Sequence, residues 1–145
     1  MEKMRTIIID DEQDAAAFIR SIIGEYCPGL EFAGKAHDVN EGIEIIKEQK
    51  PDLVFLDVEM PHGTGFDLLA HFPEKEFDVV FITAFNHYAI KAIKYSAVDY
   101  ILKPINIKEF IESVRKVVDK RSESRNQNNE NLKTLMENIR TGSPS

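Results

Sequence analysis

Four apolar runs in this chain each end in a residue that could do chemistry. Ile7-Ile8-Ile9 leads into Asp10-Asp11, and Leu53-Val54-Phe55-Leu56 leads into Asp57. Val79-Val80-Phe81-Ile82 leads into Thr83, and Tyr100-Ile101-Leu102 leads into Lys103. Carboxylates drawn into one place repel one another unless a cation intervenes. Oxygen donors with no His or Cys among them suit Mg²⁺, with Mn²⁺ as the alternative. Lys103 adds a positive point charge and Thr83 a hydroxyl donor. Such a set can hold a phosphoryl group while a carboxylate attacks it in line. Asp57, central and deepest, is the expected nucleophile.

Taken singly, each of these residues has a plainer reading. Asp10 could cap a helix, Asp57 could be a turn residue, Thr83 a cap, Lys103 a solvated amine and Tyr100 a core aromatic. The set together outweighs these readings, because four strand ends are loaded at once. The elements that must position them follow from the pattern of apolar residues. Strands are expected at Thr6–Ile9, Leu30–Ala36, Leu53–Leu56, Asp78–Ile82 and Val98–Leu102. The second is weaker and partly alternating, which suits a sheet edge.

Helices are expected between them. The first carries Phe18, Ile19, Ile22, Ile23 and Tyr26 and stops at Cys27-Pro28-Gly29. The second is capped by Asp38 or Asn40, with Val39, Ile43 and Ile46 as its stripe. The third runs from Gly65 to Phe72. The fourth runs from about Asn86 to Tyr95, with Ala89, Ile90 and Ile93 inward. The fifth carries Ile107, Phe110, Ile111, Val114, Val117 and Val118. Five strands alternating with five helices define a doubly wound α/β sheet, a flavodoxin-like (βα)5 sandwich. In strand order 2-1-3-4-5 the four loaded strands lie side by side, and the topological switch point falls between strands 1 and 3.

Composition narrows the function. The net charge of −7 argues against direct nucleic-acid binding by this chain. No apolar run approaches the ~20 residues that span a membrane. Cys27 is the single cysteine, so no disulfide framework or zinc knuckle is available. The start, Met1-Glu2-Lys3-Met4-Arg5, does not read as a signal peptide, and the expected location is the cytoplasm. None of His37, His62, His71 and His87 has neighbours that suit a metal. From Asp119 the composition turns polar, and Lys120–Asn129 reads as linker. Leu132, Leu135, Met136 and Ile139 then recur at helical spacing, and Thr141–Ser145 reads as a frayed end. The domain division is thus 1–120, with 121–145 as a tail, partly helical or disordered.

Asp10-Asp11, Asp57, Thr83-Ala84 and Lys103-Pro104, in this βα alternation, resemble a two-component response-regulator receiver domain over roughly Met4 to Lys120. The wording from Phe81 to Ile90 and from Ala97 to Ile105 resembles receivers of the LytTR (LytR/AlgR) class, in which a β-rich DNA-binding domain follows. This sequence contains no such domain. The resemblance implies a phosphoacceptor rather than an enzyme, with at most slow self-dephosphorylation. Asp57 would take phosphate from a partner histidine kinase. Asp10 and Asp11 would hold Mg²⁺, Asp11 most directly, with Asp57 and the backbone carbonyl of Glu59. Thr83 would bond the phosphoryl oxygen, Lys103 would pair with the phosphate, Tyr100 would swing inward as an aromatic switch, and the Lys103-Pro104 bond would be cis. The surface of helix 4, strand 5 and helix 5 would shift between two packings, with self-association or release of an output domain as the result.

Three other functions fit parts of the pattern. A haloacid-dehalogenase-type enzyme also uses an Asp at a strand end, but it has a second Asp two residues on, where Glu59 stands here, and it needs a longer chain. A binding module without phosphorylation would not need the full residue set. A flavodoxin-like cofactor carrier needs a phosphate-cradling loop after strand 1, where Asp10-Asp11-Glu12 would instead repel a phosphate. The Glu59 side chain adds a further acid and could orient a water for dephosphorylation.

Overall fold

The computed structural model describes residues 3–141. Five parallel strands form the sheet: β1 (Met4–Ile9), β2 (Leu30–Ala36), β3 (Leu53–Leu56), β4 (Asp78–Thr83) and β5 (Asp99–Leu102). Their spatial order is β2-β1-β3-β4-β5, and every pairing is parallel. The helices are α1 (Gln13–Tyr26), α2 (Val39–Gln49), α3 (Gly65–Ala70), α4 (Ala89–Lys94) and α5 (Ile107–Thr141). A two-rung antiparallel ribbon, Glu59–Met60 against Gly63–Thr64, follows β3. The fold is the expected doubly wound, flavodoxin-like α/β sandwich.

The apolar runs of β3 and β4 are fully buried because both faces of the sheet are covered. Alternate side chains feed two cores. Ile8, Leu53, Phe55, Val80 and Ile82 pack with Ile19, Ile22 and Ile23 of α1 and with Phe110, Val114 and Val117 of α5. Ile7, Ile9, Val54, Leu56, Val79 and Phe81 pack on the opposite face with Ile46 of α2, Phe66, Leu68 and Leu69 of α3, and Ala92 of α4. Phe55 stacks on Phe110 at 4.7 Å between ring centroids, tying the central strand to α5. Asp38 caps α2 by accepting from the Glu41 N–H at 2.7 Å. Thr64 and Asp67 form a capping box on α3.

Helix positions differ from the sequence reading in three places. On α1, Phe18 and Tyr26 face solvent, and Ala16 joins Ile19, Ile22 and Ile23 inside. On α4, Ile90 and Ile93 are 74% and 73% exposed rather than inward. The phase of α4 is set instead by Ala92, which is small enough to let the helix approach the sheet. Tyr88 and Tyr95, four residues before it and three after, pack tilted against Phe66 at 5.9 and 5.1 Å between ring centroids. The buried face therefore runs 88-92-95, out of step with 89-90-93.

The third difference is α5. Lys120–Asn129, read as linker, continues the helix without a break to Thr141. No Gly or Pro interrupts 107–141, and Gly142 follows. Anchorage adds to propensity at the point where the helix leaves the core. Arg121 reaches Asp78 at 3.0 Å and Asp52 at 3.3 Å, and Lys120 reaches Asp78 at 2.7 Å. The frayed end expected at Thr141–Ser145 lies, beyond Thr141, outside the described residues.

Candidate functional site

The four loaded strand tips are brought level by the backbone. The sheet ladder runs one residue past the ends of β1, β3 and β5: Asp10 N–H donates to Ala36 O at 3.0 Å, Asp57 N–H to Ile9 O at 2.9 Å, and Lys103 N–H to Thr83 O at 2.8 Å. The chemistry-bearing residues are thus part of the sheet and share its rigidity. They lie at the carboxyl ends of parallel strands, where open α/β sheets bind ligands.

Asp10, Asp57 and Thr83 are buried. One Asp57 oxygen accepts from the Val58 N–H at 2.7 Å, and the other lies 3.2 Å from Lys103 Nζ. One Asp10 oxygen accepts from the Glu12 N–H at 2.9 Å. The other, Oδ2, is buried with no aligned hydrogen bond, and Lys103 Nζ meets it at 3.0 Å as an ion pair only. Burial raises the Asp10 carboxyl to about 6, with repulsion from Asp57 adding to it. Burial alone would lower the Lys103 amine, but Glu12, Asp10 and Asp57 together hold it above its ordinary value. Thr83 Oγ accepts from the Phe85 N–H at 3.4 Å.

Glu12, which the sequence reading left out of the site, belongs to it. Its carboxylate is 2.8 Å from Lys103 Nζ. Asp10, Glu12 and Asp57 offer oxygens within 4.8 Å of one another. Asp11, expected as the most direct metal ligand, is exposed and is not in this group. The signal was available: Glu12 is the last residue before α1, so its side chain turns back toward the strand tips. The Glu59 side chain is not in the group either, and accepts from Tyr88 Oη at 3.3 Å. Tyr100 is partly buried and donates from its hydroxyl to the Phe85 carbonyl. The Lys103–Pro104 bond is cis.

His37 has a partner four residues on that the sequence reading did not credit. Its Nδ1 lies 2.8 Å from Glu41, beside the Asp38 cap. His37 directly follows β2, at its carboxyl end, and His37, Asp38 and Glu41 offer ligand atoms within 4.8 Å of one another, against the expectation that no histidine has neighbours that suit a metal.

An acidic pocket with two buried carboxylates and only oxygen atoms as ligands fits a hard divalent cation. Three carboxylates, one amine and one hydroxyl at the tips of a doubly wound sheet define a pocket built to handle charged oxygen groups.

The chain matches the response regulator receiver domain family across residues 6–115, and it belongs to that family, the receiver domain of two-component response regulators. It is 35% identical to the sensory transduction protein LytT of Enterococcus faecalis over 127 residues, 86% of this chain and 50% of LytT. It is 38% identical to the transcriptional regulatory protein BtsR of Escherichia coli over 104 residues, 71% of this chain and 43% of BtsR. LytT fits the LytTR likeness read from residues 81–105. The crystal structure of the response regulatory domain of mrkE from Klebsiella pneumoniae superposes with a TM-score of 0.73 at 30% identity. That match covers 81% of this chain and 97% of the other. The chain spans about half the length of the curated relatives it matches. Among the described residues no helix is long and apolar enough to cross a membrane.

Proposed function

We propose that the chain is the phospho-accepting receiver of a cytoplasmic signalling pair, phosphorylated on Asp57 by a sensor histidine kinase. The observation that carries this is the Asp57 carboxylate, buried at a strand tip beside Lys103 and the buried Asp10. A carboxylate oxygen of Asp57 attacks phosphorus, the bond from phosphorus to the donor's histidine nitrogen breaks, and an acyl phosphate forms. Lys103 offsets charge on the phosphoryl oxygens. Thr83 turns its hydroxyl to them as a donor, and Tyr100 moves into the space that this opens.

Mg²⁺ is the proposed cofactor, and Mn²⁺ suits the same donors. Asp10, Asp11, Asp57 and the Glu59 carbonyl are the proposed ligands; the exposed Asp11 side chain turns in to join them, and Glu12 stays with Lys103. The cation, when bound, supplies positive charge against the phosphoryl oxygens. Acyl phosphate loss is at most slow, so the protein acts as a switch and not as a turnover enzyme.

Residues 1–120 are the proposed receiver and 121–145 its tail. The proposed output surface is α4-β5-α5. Its exposed Ile90, Ile93 and Leu102 favour a partner there, a second copy included. A phosphoryl mimic such as a metal fluoride then strengthens the dimer, and ultracentrifugation with and without it reads the change. DNA contact and transcriptional control are assigned to an output domain of the type found in LytTR proteins, outside this sequence.

The test is incubation with Mg²⁺ and acetyl phosphate followed by intact mass measurement. One phosphoryl adduct is expected on the parent chain and none on Asp57→Asn. An adduct of equal yield on the variant overturns the assignment.

A further inference from the structure

The extension of α5 past the core has a face that the receiver function does not use. Residues 122–141 add about 30 Å of helix at 1.5 Å per residue. The helix leaves the core at a fixed angle, because Arg121 also donates to the Asp52 and Glu76 carbonyls, at 2.8 and 3.4 Å. Leu132, Leu135 and Met136 share one face of the extension and are 56–58% exposed. Most helical stability in proteins comes from packing of an apolar face rather than from propensity, so a partner along that face adds to its stability.

The sequence says which partner. With Leu132 at position a of a heptad, Leu135 falls at d and Ile139 at the next a, the seam of a coiled coil. Asn128 falls at the preceding d, where a polar residue limits the apolar seam to Leu132, Leu135 and Ile139. Every charged residue from 126 to 141 takes an f or b position of the heptad: Glu130 and Glu137 at f, Lys133 and Arg140 at b. The flanking e and g positions, Asn129, Asn131, Met136 and Asn138, carry no charge. Two identical helices laid in parallel therefore meet without like-charge pairs, and the flanks hold no charge code that selects a different chain. Arg125 at the a position before ends the apolar seam, so the contact is short and weak by itself.

We infer that residues 126–141 form a parallel, in-register helix pair with the same segment of a second copy. This contact is independent of phosphate and distinct from the α4-β5-α5 surface. It holds two receivers side by side, so a weak phosphate-dependent contact between their cores becomes intramolecular and gains effective concentration.

The experiment is sedimentation equilibrium of the full chain without phosphoryl donor or mimic, across a wide concentration range. The parent chain is expected to move from monomer to dimer. Leu132→Asp with Leu135→Asp is expected to weaken association at least tenfold while the core keeps its unfolding midpoint. Ile90→Asp with Ile93→Asp is expected to leave this association intact, which separates it from the surface proposed above. In a second measurement, Leu132→Cys is expected to crosslink between copies under copper–phenanthroline oxidation, and Lys133→Cys, on the outer face, is not. A parent chain that stays monomeric throughout overturns the inference and points to a different chain on the stripe. Equal association by the Leu132/Leu135 variant, or equal crosslinking at 132 and 133, overturns it too.

Discussion

Lys103 and Asp57 lie 3.2 Å apart, amine to carboxylate, although 46 positions separate them in the chain. The same amine is within 3.0 Å of both Glu12 and Asp10, so one cation balances three anions. Lys103→Met leaves Asp10 and Asp57 buried without that balance. It is expected to cost about 3 kcal/mol of stability in metal-free buffer, as for a buried ion pair that loses one partner. Added Mg²⁺ is expected to recover part of the loss. Urea unfolding in chelator and then in Mg²⁺ measures both, and an unchanged midpoint in chelator would remove Lys103 as the balancing charge.

Gly65 closes the turn after Asp57 because no side chain fits there. A Cβ at this position would stand 2.5 Å from the Asp57 carbonyl oxygen and 3.0 Å from Leu56 Cγ. The first contact is backbone and cannot swing away. Gly65→Ala is expected to cost about 1–3 kcal/mol through overpacking. It also displaces the Asp57 peptide and slows phosphoryl uptake. Denaturant unfolding and a mass-spectrometric time course with acetyl phosphate test the two effects together.

The bond from Tyr88 to Glu59 joins the stretch after β3 to the one after β4. If Glu59 orients the water that removes phosphate, Tyr88 holds it in position. Glu59→Ala is expected to lengthen the acyl phosphate lifetime, and Tyr88→Phe to change it in the same direction by less. Decay of the phosphorylated mass after donor removal is the measurement. Equal lifetimes in parent and Glu59→Ala exclude this role.

Asp99 supplies the pH dependence. Burial raises its carboxyl, but hydrogen bonds from Ser113 and the Tyr100 N–H, with the Lys116 amine, outweigh burial and hold it below its ordinary value. A lowered acid contributes stability that is full above the ordinary carboxylate value, about 4, and is lost as pH falls through the lower folded value. Asp99→Asn is therefore expected to be less stable than the parent at neutral pH, by about 1–2 kcal/mol. The gap closes in acid. Unfolding midpoints measured from neutral pH downward would show the two curves converging.

The sheet and its four loaded tips were legible because one signal carries both: an apolar run that stops at a polar residue. β3 and β4 have no solvent face, so their ends are abrupt in the sequence. α4 was harder. It is a turn and a half long, and its two isoleucines face solvent while a single alanine faces the core, so hydrophobicity misreads its phase. Glu12 was missed because Asp10-Asp11-Glu12 gives three acids in a row, and only the backbone turn into α1 decides which converge. The continuation of α5 was hidden by polar composition. Arg121, which fastens it, acts through Asp52 and Asp78, distant in sequence.

β3 lies between Asp52 and Asp57, so it carries ion pairs at both poles, and β4 starts at Asp78, which shares the pair at the Asp52 end. The pairs differ in their access to water. Asp10, Asp57 and Lys103 are enclosed, whereas Lys120 is 53% exposed and Arg121 31%. Screening shortens from about 10 Å at 0.1 M salt to about 3 Å at 1 M, and acts on solvated pairs far more than on enclosed ones. Ionic strength thus becomes a dial on how firmly the long helix is fastened to the sheet, turned without replacing an atom and with the opposite pole left undisturbed.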